Sequence, residues 1–155
     1  MFKLLFSLLL FQCVVLAQSE DKLQIKAKLL GYDNVSLINL VANPSCYQNE
    51  IIKVRGYFCC GPEEAYLYLT KEQSDYCDWD NSIVVRFTDQ VILDGTKFEL
   101  KKVWEKINGK YIDIVGIFNI NDHGHAGDCA GSISSVTNIF IVKKWRNGKN
   151  WLKRK

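Results

Sequence analysis

Three stretches of this chain alternate apolar and polar residues with a period of two, and that alternation restricts the fold more than any other feature. In "IIKVRGYF" (51–58), Ile52, Val54, Gly56 and Phe58 fall on one side and Lys53, Arg55 and Tyr57 on the other. "EAYLYLT" (64–70) sets Ala65, Leu67 and Leu69 against Tyr66, Tyr68 and Thr70, and "SIVVRFT" (82–88) sets Ile83, Val85 and Phe87 against Val84, Arg86 and Thr88. "NGKYIDIVGIFNI" (108–120), opened by an Asn-Gly turn, and "SISSVTNIFIV" (132–142) read as two further strands. Successive side chains on a strand point to opposite faces, so this period predicts strands with one buried face.

Two segments repeat at helical spacing instead. "SLINLVANPSCY" (36–47) offers Ser36 as an N-cap, then Leu37, Leu40 and Val41, and Pro44 as a stop. "TKFELKKVWEKI" (96–107) carries Phe98, Val103, Trp104 and Ile107. The order is helix, three strands, helix, two strands. That order predicts a mainly β domain over 35–142: a five-stranded OB-like Greek-key barrel with a leading helix and a helix between strands three and four. A β-sandwich accounts for the strands but not for the helix between the third and fourth. Gly56 and Gly116, inside strands one and four, suit the bends by which small barrels close.

Before the strands, "MFKLLFSLLLFQCVVLA" has the form of a signal peptide: one basic residue, an apolar run, and small-residue spacing ending at Val15 and Ala17. The run falls short of the roughly 20 apolar residues a membrane span takes. Residues 1–17 therefore read as a leader and 18–34 as a polar N-terminal segment. The localisation expected is periplasmic or secreted. The alternative is a lipoprotein anchored through Cys13. The tail 143–155, "KKWRNGKNWLKRK", carries seven cations and no acid in a chain whose net charge is +3. With Lys3 and that tail set aside, the body is about −5, so the tail suits an anionic surface polymer or membrane headgroups.

"NLVANPSCYQNEIIKVRGYF", "EAYLYLT", "WEKINGKYIDIVGIF" and "GHAGDCAGSISSV" resemble the blocks of a family of small exported OB-fold-like bacterial domains, many without an assigned function. In that family a helix with Asn-Pro leads into a Val-x-Gly-Tyr-Phe strand, and a Gly-His-x-Gly loop precedes the last strand. The resemblance spans about 35–138 and implies the barrel. It brings no activity, substrate or catalytic residue, and the adjacent cysteines depart from its pattern.

Export makes Cys46, Cys59, Cys60, Cys77 and Cys129 disulfide candidates before metal ligands. In the expected topology Cys46 and Cys77 share one end of the barrel. Cys59 and Cys60 lie at the opposite end, beside the loop that carries Cys129. The expected bridges are Cys46 with Cys77, and Cys59 or Cys60 with Cys129. Direct bonding of Cys59 to Cys60 is disfavoured, because neighbours on a strand point to opposite faces.

Chemistry is sparse. No Gly-x-Ser-x-Gly, Walker or His-Glu-x-x-His pattern occurs, and the chain reads as a non-enzyme without a cofactor. His123 and His125, near Asp122, Asp128 and Cys129, form a candidate metal site, set against a plain glycine-bent loop whose His125 bonds to backbone groups. Arg55, Tyr57, Tyr66, Tyr68 and Arg86 share the outward face of the first three strands and form the candidate ligand face, since OB folds bind there with aromatic stacking and paired cations. The alternative is that the leading helix, or residues 18–34, packs over this face and turns its tyrosines into a second small core. The expected function is a non-enzymatic exported binding module for a glycan, peptide or protein partner. The alternatives are a metal-binding or redox protein using the His/Cys loop and an extracellular binder of single-stranded nucleic acid.

Overall fold

The structure, a computed structural model, describes residues 32–61 and 63–143. The leader with Cys13, the polar segment up to residue 31 and the basic tail from residue 144 lie outside the described residues.

The fold is mainly β. Among the described residues seven strands lie in one sheet, where the sequence predicts five: β1 (Asp33–Ser36), β2 (Ile51–Cys60), β3 (Ala65–Tyr68), β4 (Ser82–Leu93), β5 (Thr96–Glu99), β6 (Lys110–Asn119) and β7 (Ser132–Ile141). Three helices accompany them among the described residues: α1 (Leu37–Ala42), α2 (Lys71–Asp75) and α3 (Leu100–Ile107). Among the described residues no helix is long and apolar enough to cross a membrane. The strand order is β1-β2-β3-β4-β7-β6, with β5 on β4, and β6 also pairs with β2. The β4–β7 pair is parallel; β2–β3, β3–β4, β4–β5, β6–β7 and β2–β6 are antiparallel.

The helices differ from expectation at their ends for local reasons. Ser36 caps α1 by accepting the Asn39 N–H at 3.1 Å, as its sequence position predicts, but α1 stops at Ala42 and Pro44–Tyr47 form a 3-10 turn. Residues 96–99, expected to open the second helix, are strand β5. Asp94 (φ 47°) and Gly95 (φ 86°) make a left-handed two-residue turn, so β4 continues to Leu93 and folds back on itself.

The buried side holds Ile52, Val54 and Phe58 of β2, Leu67 of β3, Ile83 and Val85 of β4, Ile112, Ile114 and Phe118 of β6, and Ile133, Val136 and Ile139 of β7. Leu37 and Leu40 of α1 and Val103 and Ile107 of α3 join this core, and Trp104 of α3 meets Phe58 and Phe87 through ring contacts. Each fully buried side chain of this size stabilises by about 1.5–3 kcal/mol, an upper estimate. Gly56 and Gly116 mark the closest strand approaches. A Cβ on Gly56 would lie 2.4 Å from Leu67 Cγ and one on Gly116 2.6 Å from the Ser134 carbonyl oxygen, so neither position admits a side chain without strand movement.

Candidate functional site

The residues opposite this core make one outer face with two unlike halves. Across β2 and β6, Arg55 is in register with Asp113 and Tyr57 with Tyr111. The Arg55 fork donates through Nε (2.6 Å) and Nη2 (3.0 Å) to the two Asp113 oxygens, and Lys53 Nζ lies 3.4 Å from the same carboxylate. Burial alone would raise the Asp113 pKa; the Arg55 hydrogen bonds and the Arg55 and Lys53 charges outweigh it and hold the group below its ordinary value. Arg55 keeps 63% of its side-chain surface in solvent. Tyr57 and Tyr111 meet edge to face at 5.3 Å between ring centres, with Tyr57 half-buried and Tyr111 39% exposed. On β7, Phe140 is in register with Asp113 and takes Lys53 Nζ over its ring at 5.1 Å.

Across β3 and β4 the same face is covered. The connection between β6 and β7, residues 120–131, lies against it and is pinned by Arg86. Arg86 donates through Nε (2.6 Å) and Nη2 (2.8 Å) to Asp122 of that connection, and its Nη2 is 3.2 Å from Glu64 of the β2–β3 turn. Glu64 Oε2 also accepts the His125 N–H at 2.8 Å. One guanidinium thus ties two loops together with charge-assisted bonds. Those Arg86 bonds hold the Asp122 carboxyl far below the usual carboxylate range. Beneath the loop, Val84, Ser82 and Ser132 are fully buried although they point outward, and Tyr68 is 2% exposed. Desolvation, with nearby Cys77, Cys59 and Cys129, pushes the Tyr68 phenol well above its ordinary pKa. Gly124 (φ 78°) makes the covering close: a Cβ there would lie 2.8 Å from Val84 Cγ2 and from Glu64 Oε2.

The five residues of the sequence-derived ligand face therefore divide. Arg55 and Tyr57 stay accessible and Tyr66 is half-buried with its hydroxyl 3.5 Å from Glu64, whereas Tyr68 is packed and Arg86 is spent on the two loops. The covering layer is not the leading helix. It is the 120–131 connection, together with α2, which packs against β2 and β3. Tyr111, Asp113 and Phe140 were missed, although alternation through "KYIDIV" sets Tyr111 and Asp113 opposite Ile112 and Ile114.

The two histidines part company. His123 Nδ1 lies 2.7 Å from the Cys129 carbonyl oxygen, while the His125 ring faces Glu63, with Nε2 at 3.5 Å. The backbone-bonded imidazole is thus His123, not His125. Among the described residues no group of three or more His, Cys, Asp or Glu is arranged to hold a metal.

The five cysteines among the described residues are all thiols in this structure. Cys46 and Cys77 are exposed, Cys59 and Cys60 half-buried and Cys129 buried. As alternation predicts, Cys60 packs against the core and Cys59 shares the Tyr57 face. Burial, with Cys59 alongside, pushes the Cys60 thiol up to about 12. Cys129 Sγ sits 3.3 Å from Ser82 Oγ at the start of β4, so the part of the 120–131 connection beside the β2–β3 turn is His125 rather than Cys129. Burial raises the Cys129 thiol as well, which makes it a poor nucleophile.

No protein-family model matches the chain, and no curated protein matches it. Among solved structures it is similar to a putative aspartyl-tRNA synthetase from Leishmania major Friedlin, with 9% identity and a TM-score of 0.44 over 73% of this chain. The chain spans about a fifth of that protein, 21% of its length.

Proposed function

We propose that the chain is an exported, non-enzymatic binding module on an OB-type barrel, and that it binds through the uncovered half of its outer face. In support of the barrel, pairing runs from the first long strand to the second, third, fifth, fourth and back to the first (β2, β3, β4, β7, β6, β2), with the parallel contact between the third and fifth. The leader supports export to a compartment that permits disulfides, and the basic tail supplies affinity for an anionic polymer or membrane surface there.

One observation carries the binding reading: Tyr57, Tyr111 and Arg55 remain open side by side, while Tyr68 is packed away and Arg86, though 45% exposed, is held by two carboxylates. Aromatic rings with polar tips beside a half-free guanidinium are the residues interfaces favour. Nucleic acid is disfavoured as the ligand, because Lys53 and Arg55 already pair with Asp113, and Arg86 with Glu64 and Asp122.

The test is a protein-detected NMR screen of polysaccharide, peptide and oligonucleotide fractions against the mature chain. Amide shifts gathered on residues 53–57 and 110–113 are expected from one fraction. Shifts gathered elsewhere would remove this face as the site.

A further inference from the structure

We propose that the Tyr57–Tyr111–Arg55 surface takes an uncharged oligosaccharide, an inference that rests on the binding-module reading above. Charge comes first. A polyanion reaching the N–H groups that Arg55 does not turn to Asp113 is repelled by that carboxylate beside them, which the Arg55 and Lys53 pairs hold in place. The covered half offers no better anchor, since Arg86 already faces two carboxylates. Lys53 and Arg55 share one carboxylate, a surplus of a single charge, so this half draws a polyanion only weakly and offers its cations mainly as fixed hydrogen-bond donors.

Hydrogen bonding is the second argument. A guanidinium has five N–H donors, of which Arg55 spends two on Asp113. Three remain for ligand oxygens, and the Tyr57 and Tyr111 hydroxyls can each donate or accept. Sugar hydroxyls, which also do both, match this set. The third argument is shape. The Tyr57 and Tyr111 rings stand at 68° to each other, two apolar walls against which the C–H faces of a pyranose can lie. Phe140, in register with Asp113, extends the apolar surface onto β7, so the site crosses three neighbouring strands and suits several linked sugars rather than one.

An extended peptide fits less well. Strand β2 has β6 on one side and β1 and β3 on the other, which leaves it no edge for strand addition. The side chains also stand on paired strands and need no reordering on binding.

The experiment titrates cellohexaose, chitohexaose, maltohexaose and a single-stranded oligonucleotide into the mature chain, read by amide shifts. At least one hexasaccharide is expected to shift residues 53–57 and 110–113, with affinity nearly constant as salt rises about tenfold, because counterion release plays no part. Tyr57→Ala and Tyr111→Ala, checked for unchanged thermal unfolding, should each weaken it by about tenfold or more. Tyr57→Phe, which keeps the ring, should stay within about threefold of wild type. Silence from all three sugars overturns the inference, as does sugar binding that both alanine variants leave intact. Salt-sensitive oligonucleotide binding with shifts on the same residues also overturns it, yet leaves the binding module standing. Shifts on other faces only, from every probe, bring down both.

Discussion

Tyr57 and Tyr68 are register partners on neighbouring strands, on the same face, yet Tyr57 stays half-exposed and Tyr68 is 2% exposed. Arg55 and Arg86 make the same contrast: each grips a carboxylate with two bonds, but Asp113 lies on a strand and Asp122 on a loop. A pair within the sheet leaves the surface open, whereas a pair reaching into a loop draws that loop down as a cover. Strand alternation decides which face a residue occupies. Loop anchoring decides whether solvent reaches it.

The most forceful way to break this comparison is to truncate the two tyrosines in parallel. Tyr68→Ala should cost about 3–5 kcal/mol, the range for removing a buried aromatic ring. Tyr57→Ala should cost about 1 kcal/mol, the scale of one aromatic pair. Urea unfolding of both variants measures the difference. Equal losses would mean that the two halves do not differ in the way described.

Gly124→Ala tests the cover itself. Its left-handed backbone and the 2.8 Å approach to Val84 make any Cβ both strained and overpacked, so a loss of about 1–3 kcal/mol is expected. If the cover lifts instead of the protein unfolding globally, Cys129 should alkylate faster in native buffer while amides near Tyr57 exchange as in wild type. An unchanged Cys129 rate together with unchanged stability would show that the loop tolerates a side chain there.

How much of this was legible in the sequence follows from the same division. The five expected strands, the buried sides of the first three and the Ser36 cap could be read, because each depends on local period. Leu69, grouped with Leu67, lies past β3 and is 37% exposed, and the buried side of β7 (Ile133, Val136 and Ile139) breaks the period at Ser135 (φ 52°). Two missed elements also had local signals. Asp94-Gly95 is a two-residue hairpin turn, and Thr70-x-x-Gln73 is a capping box that starts α2, with both reciprocal bonds formed. The fate of Tyr68 and Arg86 was not legible. It depends on Glu64 and Asp122, which come from different loops far apart in the chain and meet only after the sheet has formed. Asp122 was read beside His123 and His125 as a metal candidate, because nearness in sequence was the only nearness available.

A milder variant separates the loop anchor from the sheet anchor. Asp122→Asn removes the charge from a partly exposed pair, so a stability loss of about 1 kcal/mol or less is expected. Its sharper readout is again local: faster alkylation of Cys129 without loss of ligand binding at Tyr57. Asp113→Asn should do the reverse, leaving Cys129 protected and loosening Arg55. If both variants expose Cys129 equally, the two halves are coupled and the contrast between them fails.

The smallest expected effect is on pH, and its sign is fixed by both carboxylates. Asp113 and Asp122 have folded-state pKa values below their ordinary ones, so each contributes stability that is complete above the unfolded value of about 3.9 and disappears as pH falls through the folded value. Because both pairs are partly open to water, each should contribute about 1 kcal/mol or less. Below pH 4 the wild type should therefore lose stability more steeply than Asp113→Asn or Asp122→Asn, as urea midpoints at pH 7, 4 and 3 would show. The anchors differ in what their protonation releases. Neutral Asp122 loosens a loop that Glu64, Gln48, the Ser82–Cys129 contact and backbone bonds still hold, whereas neutral Asp113 remains inside a paired strand. Because Asp122 is held lower than Asp113, falling pH should loosen Arg55 before it lifts the loop, and solvent reaching Tyr68 first would place the cover's strength somewhere other than Arg86.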